Sequence, residues 1–569
     1  MRVLGTAAAL LAVMSIAAIV AQEPERGVPP VVPAKRKLDK RLYTAADATQ
    51  AMAVDAVLLS QTVMAEEMYN IRYLSIHNIS EDMRAEYASE VSLAINRLSR
   101  NPNIFVPARV GPGGIVLRVN LADYGIDPAV WDKMADIHPY FYEKFIETDL
   151  RVTEVENVKK TAYTETIEVH KTNEKGEKLY YGGDERKPVM EKKQVTKYKT
   201  EASTTTTAKE AAPGRTKVGT ASWLDPEAMA VTIKLVQART PIVRADWFLA
   251  NAMLPPLYYD FLGLKTLDDA KELALFDKRA EKQSDIRATV VLSGSLARKV
   301  ARNNRILKRV KTANGAWWET FDFKTSVGEQ NIINNFLTTN RDGGEIIFSL
   351  PNGLHGYFLV DNKDARVDEV PIEVAVDSLA QDTRVRCGRS CIWCHSKGIQ
   401  PFRSDFKLEV NQQNLVDLGI VVKSDTKKTI ELIRFVRQTF DTVDFENIVK
   451  NDNIQYENAV KAATGGRTAP AAAATFLRLY DEYAEVPLDA EALVYESGFS
   501  DTDVQAAIKL KLNGVSNGVL LRRVFKMPLP IRRDQFEESF ADYMHRVMAW
   551  QAAKRLIGPP VPAKEGPQP

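Results

Sequence analysis

The sequence predicts an α+β protein that is mainly helical, and three observations support this fold class. Long stretches near both ends carry apolar residues at helical three- and four-residue spacing. A central stretch alternates short apolar runs with turns that contain Gly, Pro or Asn, which is typical of β-hairpins. The apolar and charged fractions, 45% and 26%, are those of an ordinary globular protein. At 569 residues the chain is long enough for several domains.

Changes in composition divide the chain into eight segments. They are a signal peptide (1–21), a Pro-, Lys- and Arg-rich linker (22–40), an N-terminal α+β region (41–150), a charged Thr-rich insertion (151–222), a helical continuation of the first domain (223–340), a β-hairpin leading into a cysteine-containing segment (341–405), a helical C-terminal domain (406–557) and a Pro-rich tail (558–569). The tail is expected to be disordered, and the insertion partly so.

The first 21 residues have the pattern of a secretory signal peptide. Arg2 supplies a positive charge, residues 3–21 are almost wholly apolar, and Ala21 offers a small residue at a cleavage point. An uncleaved membrane anchor is the alternative, because the apolar run is just long enough to span a bilayer. We expect cleavage since Ala and Gly dilute the run, and we expect no other membrane span. The sequence therefore predicts export to the periplasm or cell envelope.

The regions before the cysteines are predicted to mix helices with strands. Helical patterns cover residues 42–77 and 81–98, and a hairpin is predicted from strands 104–106 and 115–119. Asp127, followed by a proline, predicts the start of a short helix. The insertion alternates weakly, as a solvated β-ribbon would, and a solvated excursion is favoured over a partner-docking arm.

A β-rich stretch is predicted immediately before the cysteines, and helices after them. Residues 317–323 have strand composition, while 345–350 and 356–360 are expected to pair as a hairpin. Beyond the cysteines, helical spacing recurs in four further stretches and in a last helix that Asp534 can cap. Those stretches are residues 429–440, 453–463, 472–483 and 502–512.

The chemistry is concentrated in a short motif that holds all 3 cysteines of the chain. Cys391, Cys394 and His395 form the pattern C-x-x-C-H, which is the attachment signature of a c-type haem. Two thiols at this spacing can reach the two vinyl groups on one edge of a porphyrin, and His395 is placed to bind the iron. The sequence predicts one covalent haem c per chain. Cys387 is then an odd thiol, either buried and inert or redox-active.

Two other metal centres are compatible with part of this motif. Cys387, Cys391 and Cys394 have the spacing of the iron–sulfur cluster in radical S-adenosylmethionine enzymes, but the chain is predicted to be exported and no strand–helix series follows. Zinc bound by three Cys and one His is disfavoured, because the adjacent Cys394 and His395 rarely bind one tetrahedral ion together. Haem is therefore the favoured interpretation.

The iron ligand opposite His395 decides between electron transfer and small-molecule chemistry. Met527 is the favoured distal ligand, because its Met-Pro loop before a C-terminal helix resembles the methionine loop of class I cytochromes c. Met527 lies much farther from His395 in sequence than is usual in that fold. The alternatives are Met544, His545, Met548 and His355.

Four arginines recur at three- and four-residue steps within residues 295–310, namely Arg298, Arg302, Arg305 and Arg309. This spacing predicts a helix with one basic face. Such a face could pair with haem propionates or steer an acidic redox partner, although a solvated stripe is the favoured interpretation. The formal net charge of +2 gives no overall field towards nucleic acid or an anionic membrane.

The string at residues 342–354, together with Ser390 and the C-x-x-C-H motif, resembles the planctomycete-type large single-haem c-type cytochromes. The similarity extends over about residues 73–402 when the insertion is set aside. The resemblance implies an exported protein, haem binding at the motif residues and electron transfer. The chain differs from that family in having Cys387 where a polar residue is usual and His355 where Gln is common.

These observations predict an exported monohaem cytochrome that passes single electrons to a redox partner protein in the cell envelope, and a carrier rather than an enzyme. One alternative is a haem c enzyme or gas sensor with an open, peroxidase-like distal site. The other is an envelope interaction protein in which the insertion 151–222 binds a partner.

Overall fold

The computed structural model describes the greater part of the chain. The described ranges are residues 43–140, 225–279, 305–323, 341–370, 382–400, 445–497, 501–509 and 529–557, together with parts of 146–218, 285–287, most of 376–380 and a few isolated positions. Helices and strands are both extensive, with several small sheets and a helical C-terminal part, so the predicted α+β class is confirmed.

The described elements follow one another in an irregular helix–strand order. The helices are α1 (Ala45–Ser60), α2 (Ala65–Met68), α3 (Glu81–Arg97), α4 (Leu121–Tyr124), α5 (Pro128–Asp132), α6 (Met134–Ile137), α7 (Pro226–Val236), α8 (Ala245–Asn251), α9 (Leu257–Leu262), α10 (Leu267–Leu273), α11 (Arg389–Cys394), α12 (Phe445–Thr464), α13 (Ala469–Ala484), α14 (Ala490–Ser497), α15 (Asp501–Lys509) and α16 (Arg533–Ile557). The strands are β1 (Ile71–Ser75), β2 (Ala108–Val110), β3 (Val116–Asn120), β4 (Ile146–Thr148), β5 (Asn157–His170), β6 (Met190–Ser203), β7 (Thr216–Val218), β8 (Ile242–Arg244), β9 (Asp285–Arg287), β10 (Arg305–Thr312), β11 (Gly315–Asp322), β12 (Gly343–Ser349), β13 (His355–Asp361), β14 (Glu369–Val370) and β15 (Val385–Arg386).

Contacts divide the chain into two compact units. The first unit comprises Met1–Tyr142, Ser222–Leu488 and Ile531–Glu538, and the second comprises Glu143–Ala221, Asp489–Pro530 and Ser539–Pro569. The C-x-x-C-H motif belongs to the first unit, together with both larger sheets.

The first sheet has the strand order β2-β3-β1-β8, and it corrects two predictions. Residues 42–77 are not helical throughout, because β1 follows α1 and α2 and pairs with strands on both sides. Every residue of β1 is buried, and this long-range pairing outweighs the local helical pattern. The hairpin strand predicted at 104–106 lies instead at β2, which pairs with β3. The predicted helix after Asp127 is confirmed, since its carboxylate caps α5.

The second sheet has the order β13-β12-β11-β10-β9, with antiparallel neighbours throughout. The predicted basic helix over residues 295–310 is wrong where it is described, because Arg305 and Arg309 lie on strand β10. Strand β10 is hydrogen-bonded to β9 and β11, and these pairings decide its conformation. Both arginines form ion pairs instead of a solvated stripe. Arg298 and Arg302 lie outside the described residues.

The insertion contains a long antiparallel ribbon of β5 and β6, in register from Asn157 opposite Ser203 to His170 opposite Met190. The expected β-ribbon is therefore confirmed over residues 164–169. Two short strands, β4 before the ribbon in the sequence and β7 after it, pair with each other.

The predicted C-terminal helices correspond to α12, α13, α15 and α16, within shifted bounds. The helix predicted over residues 429–440 lies almost wholly outside the described residues. Within the part of the chain that the structure describes, no helix is long and apolar enough to cross a membrane.

Glu90 on α3 is a buried carboxylate whose ionisation is expected to make stability depend on pH. Its Oε1 accepts a hydrogen bond of 2.8 Å from Arg467, yet burial raises its pKa to about 7, against the lowering effects of Arg97 and Arg467. Because the pKa of Glu90 is higher in the folded state than its ordinary value of 4.5, protonation of Glu90 stabilises the folded protein. This stabilisation is fully present below pH 4.5 and is lost as the pH rises through about 7.

We therefore expect Glu90→Gln to remove part of the decline in unfolding free energy between about pH 5 and pH 7.5. The decline in the variant should be smaller than that in the wild type by about 1–2 kcal/mol. This is less than about 1.36 kcal/mol for each unit of pKa shift would give, because the ion pair of Glu90 with Arg467 offsets part of the effect. Urea unfolding at both pH values measures it, and parallel declines in the two proteins would contradict the assignment.

Candidate functional site

The C-x-x-C-H motif forms the short helix α11 and the residue that follows it. Cys391 and Cys394 are three residues apart and therefore share one face of this helix. Cys391 is buried and Cys394 is half-buried, and both border the same cleft. His395 ends the helix with its side chain 12% exposed. The structure thus brings together the three residues that the sequence predicts to bind haem.

A network of buried polar contacts holds the start of α11. Arg389 and Ser390 both donate hydrogen bonds to the Asp377 carboxylate, at 3.1 and 2.7 Å. The Arg389 guanidinium also lies 4.5 Å from the centre of the Tyr480 ring, and the Arg386 amide donates to Ser390 Oγ. Charged hydrogen bonds of this kind are among the stronger ones in proteins. The orientation of both cysteines is therefore set by contacts outside the motif.

His395 is oriented by its own loop. Its Nδ1 lies 3.2 Å from the Gly398 carbonyl oxygen, a distance at which an N–H group donates a hydrogen bond. A carbonyl oxygen can only accept, so this contact places a proton on Nδ1 and makes Nε2 the nitrogen that would bind a metal once it leaves its contact with Glu345. Histidines that bind metals commonly donate the other ring N–H to a backbone carbonyl in this way. Nε2 itself lies 3.4 Å from Oε1 of Glu345.

The loop after His395 is clamped by α12. The Asn453 side chain accepts a hydrogen bond from the Ile399 amide at 2.7 Å and donates one to the Ile399 carbonyl at 2.9 Å. Gly398 lies so close to this amide group that a Cβ atom would collide with it. The same loop supplies the Gly398 carbonyl that orients His395, so the clamp positions the histidine indirectly.

We expect Asn453→Ala to lower the unfolding free energy by about 1–3 kcal/mol, because it leaves two backbone groups of Ile399 without their partners. We also expect weaker haem retention or an altered spectrum, since the His395 ring loses its fixed loop. Denaturation and absorption spectra of the same preparation measure both effects. Asn458→Ala, at an exposed position of the same helix, is the comparison, and an equal loss in both variants would contradict the clamp.

The two cysteines face a cleft of about 810 Å³ of unfilled space, counting its open side. Strands β10 to β13 supply much of its lining, and the segment that carries β14, β15 and α11 supplies the rest. The apolar lining residues are Leu359, Val360, Val367, Val370 and Val385, and the carboxylates are Asp322, Asp342, Glu345, Asp361 and Glu369.

Charges in the cleft act directly on the motif. Burial would raise the pKa of Glu345, but His395, Arg305 and a hydrogen bond with Cys391 together lower it to about 2. The pKa of the Cys391 thiol is raised by a hydrogen bond with Cys387 and by burial, and that of Cys394 by burial and by Glu345. The thiols are therefore neutral at ordinary pH in this conformation.

Cys387 is fully buried and lies within hydrogen-bonding reach of the Tyr259 hydroxyl and the Cys391 thiol. Burial among such groups is the environment of an inert structural thiol rather than of a reactive one. Among the described residues, no three His, Cys, Asp or Glu side chains converge as a preformed metal site.

The structure describes some of the predicted distal ligands but not Met527. Met527 lies outside the described residues. His355 is buried at the start of β13, where its ring stacks on Tyr456 with centroids 4.0 Å apart and its Nδ1 has no hydrogen-bond partner. Met544, His545 and Met548 lie on α16 in the part of the chain assigned to the second unit.

Sequence reasoning missed Glu345, Asn453 and the pairing of Arg305 with Asp322 as parts of the site. Glu345 lies in the string that resembles the large cytochromes, and alternation along β12 places it on the same face as Ile347. That pattern could have marked its side chain as facing one side of the sheet. Nothing in the local sequence places this face opposite His395.

Comparison with known proteins gives no further assignment, since no family model, curated protein or solved structure matches this chain. The class of site therefore rests on its own residues.

Proposed function

We propose that the chain is an exported monohaem c-type cytochrome that carries single electrons between proteins of the cell envelope. The observation that carries this proposal is the orientation of His395, whose Nδ1 faces a backbone carbonyl, so that Nε2 is the nitrogen that would bind iron. Cys391 and Cys394 border one cleft beside it, as two thioether tethers to one porphyrin edge require. The donor set therefore fits a covalent haem.

When bound, haem c supplies a one-electron couple between ferric and ferrous iron. The chain's own groups hold and tune it. The two thiols would tether it, His395 would provide the proximal nitrogen, and the apolar lining residues would contact the ring. The carboxylates of the cleft favour the more positive ferric state, whereas Arg305, paired with Asp322 at 2.8 Å, offsets part of that charge.

The resemblance to the planctomycete-type large cytochromes supports the same proposal, as does the apolar N-terminal segment for export. The redox partner would be another protein of the envelope. A haem c enzyme or gas sensor is the alternative function, and turnover of peroxide by the purified protein distinguishes a peroxidase-like enzyme from an electron carrier.

The test is to produce the full chain in a bacterial host that has a c-type haem maturation system. We expect a reduced-minus-oxidised spectrum typical of haem c, with one haem per chain that remains attached after acidic acetone extraction and on a denaturing gel. A colourless product in which Cys391 and Cys394 both react with an alkylating agent would overturn the proposal.

A further inference from the structure

The side chain that faces the iron-binding nitrogen of His395 is a carboxylate. Oε1 of Glu345 lies 3.4 Å from His395 Nε2, and only 14% of the Glu345 side chain is exposed. Cys391 and Glu345 also line the same cleft. Glu345 thus contacts the proximal ligand and shares a cleft with one tether of the expected haem.

Glu345 is held by a rigid part of the fold. It lies on β12, which is between β11 and β13 in the sheet, and its paired residue on β13 is Leu359. Its backbone amide donates a hydrogen bond of 2.8 Å to Thr320 Oγ1. A side chain on a central strand is positioned more firmly than one on a loop. Met527, by contrast, was expected from a loop far along the chain.

The separation of the two side chains approaches that of two ligands on opposite sides of one metal. An imidazole nitrogen and a carboxylate oxygen each lie about 2 Å from a bound first-row metal ion, so that the two atoms are about 4 Å apart when they oppose each other. The observed 3.4 Å is somewhat shorter, so the two side chains would have to separate for iron and the porphyrin ring to lie between them.

Other charged groups do not draw Glu345 away from this position. Arg305, a cation of the same cleft, already donates to Asp322 at 2.8 Å. The buried Arg341 on the neighbouring segment pairs with Glu319 and Asp364 instead. The described side-chain contact of Glu345 Oε1 is with His395 Nε2, and iron binding at Nε2 would replace it.

We propose that the Glu345 carboxylate is the sixth ligand of the haem iron, in place of the methionine that the sequence suggested. This inference rests on the proposed haem function. A carboxylate is a hard, anionic ligand, so it favours ferric iron and binds ferrous iron weakly. The reduced protein would then have an open coordination position.

Four proteins made with haem test the proposal: the wild type, Glu345→Gln, Glu345→Met and Glu272→Gln. The last removes an exposed carboxylate on α10 and serves as the control. Absorption and electron paramagnetic resonance spectra report the ligands of ferric iron. Redox titration reports the balance between the two oxidation states.

For the wild type we expect a high-spin ferric spectrum, no weak far-red band of methionine ligation and fast carbon monoxide binding after reduction. Glu345→Gln should shift the equilibrium at least tenfold towards ferrous iron, which is about 59 mV for a one-electron couple. Glu345→Met should give a low-spin spectrum with the methionine band, and Glu272→Gln should behave as wild type.

A methionine band in the wild-type protein would overturn the inference and leave the proposed function intact, as would Glu345→Gln with unchanged spectrum and potential. The wild-type result decides even if a Glu345 variant fails to fold. A colourless wild type with free thiols would instead overturn the proposed function itself.

Discussion

The double variant Cys391→Ala/Cys394→Ala is expected to lose all haem that survives acidic acetone extraction, from one per chain to none. Covalent retention requires a thioether, and the only groups placed beside His395 to form one are these two thiols. Each single variant should keep one thioether, with lower yield and a shifted absorption band. Haem staining on a denaturing gel and mass spectrometry of the chain measure the result.

Cys387→Ala is the matched control, and it separates the competing interpretations of the three cysteines. A covalent haem needs only Cys391 and Cys394, so this variant should keep its haem in full. An iron–sulfur cluster held by all three cysteines would be lost in it. Loss of the chromophore in Cys387→Ala, or full covalent haem in the double variant, would contradict the haem assignment.

Gly388→Ala is expected to lower the unfolding free energy by about 3–5 kcal/mol and to reduce haem attachment with it. Gly388 precedes α11 with φ 81° and ψ −83°, a conformation that L-residues rarely adopt. A methyl group there would also collide with the Met253 carbonyl oxygen, which accepts a hydrogen bond from the Arg389 amide. Chemical denaturation and covalent haem content measure the two effects.

Gly465→Ala provides the comparison, because Gly465 also has a positive φ, of 73°, but no atom lies within 4 Å of its hypothetical Cβ. Only the backbone strain of about 1–2 kcal/mol should then be felt. If both variants lost the same stability, close contact with Met253 would not be what requires glycine before the motif. Haem attachment should stay normal in Gly465→Ala.

Part of the fold could be predicted from local patterns. Helices α12, α13 and α16 carry their apolar residues at helical spacing, and the hairpin of β12 and β13 follows an apolar-turn-apolar sequence. The strand β10 could not be predicted from its arginine spacing, because residues four apart share a face in a strand as well as in a helix. The turn Ala313-Asn314 between β10 and β11, followed by Gly315 with φ 140°, is the signal that sequence reasoning overlooked.

What the sequence by itself determined is the local chemistry of the motif. Cys391, Cys394 and His395 are neighbours along one helical turn, so their spacing is enough to bring them together and to predict haem c. The tertiary structure decided what surrounds them. It placed Glu345 opposite His395 and Asn453 against the following loop, because strand pairing and helix packing join residues about 50 positions apart or more, which no local pattern encodes.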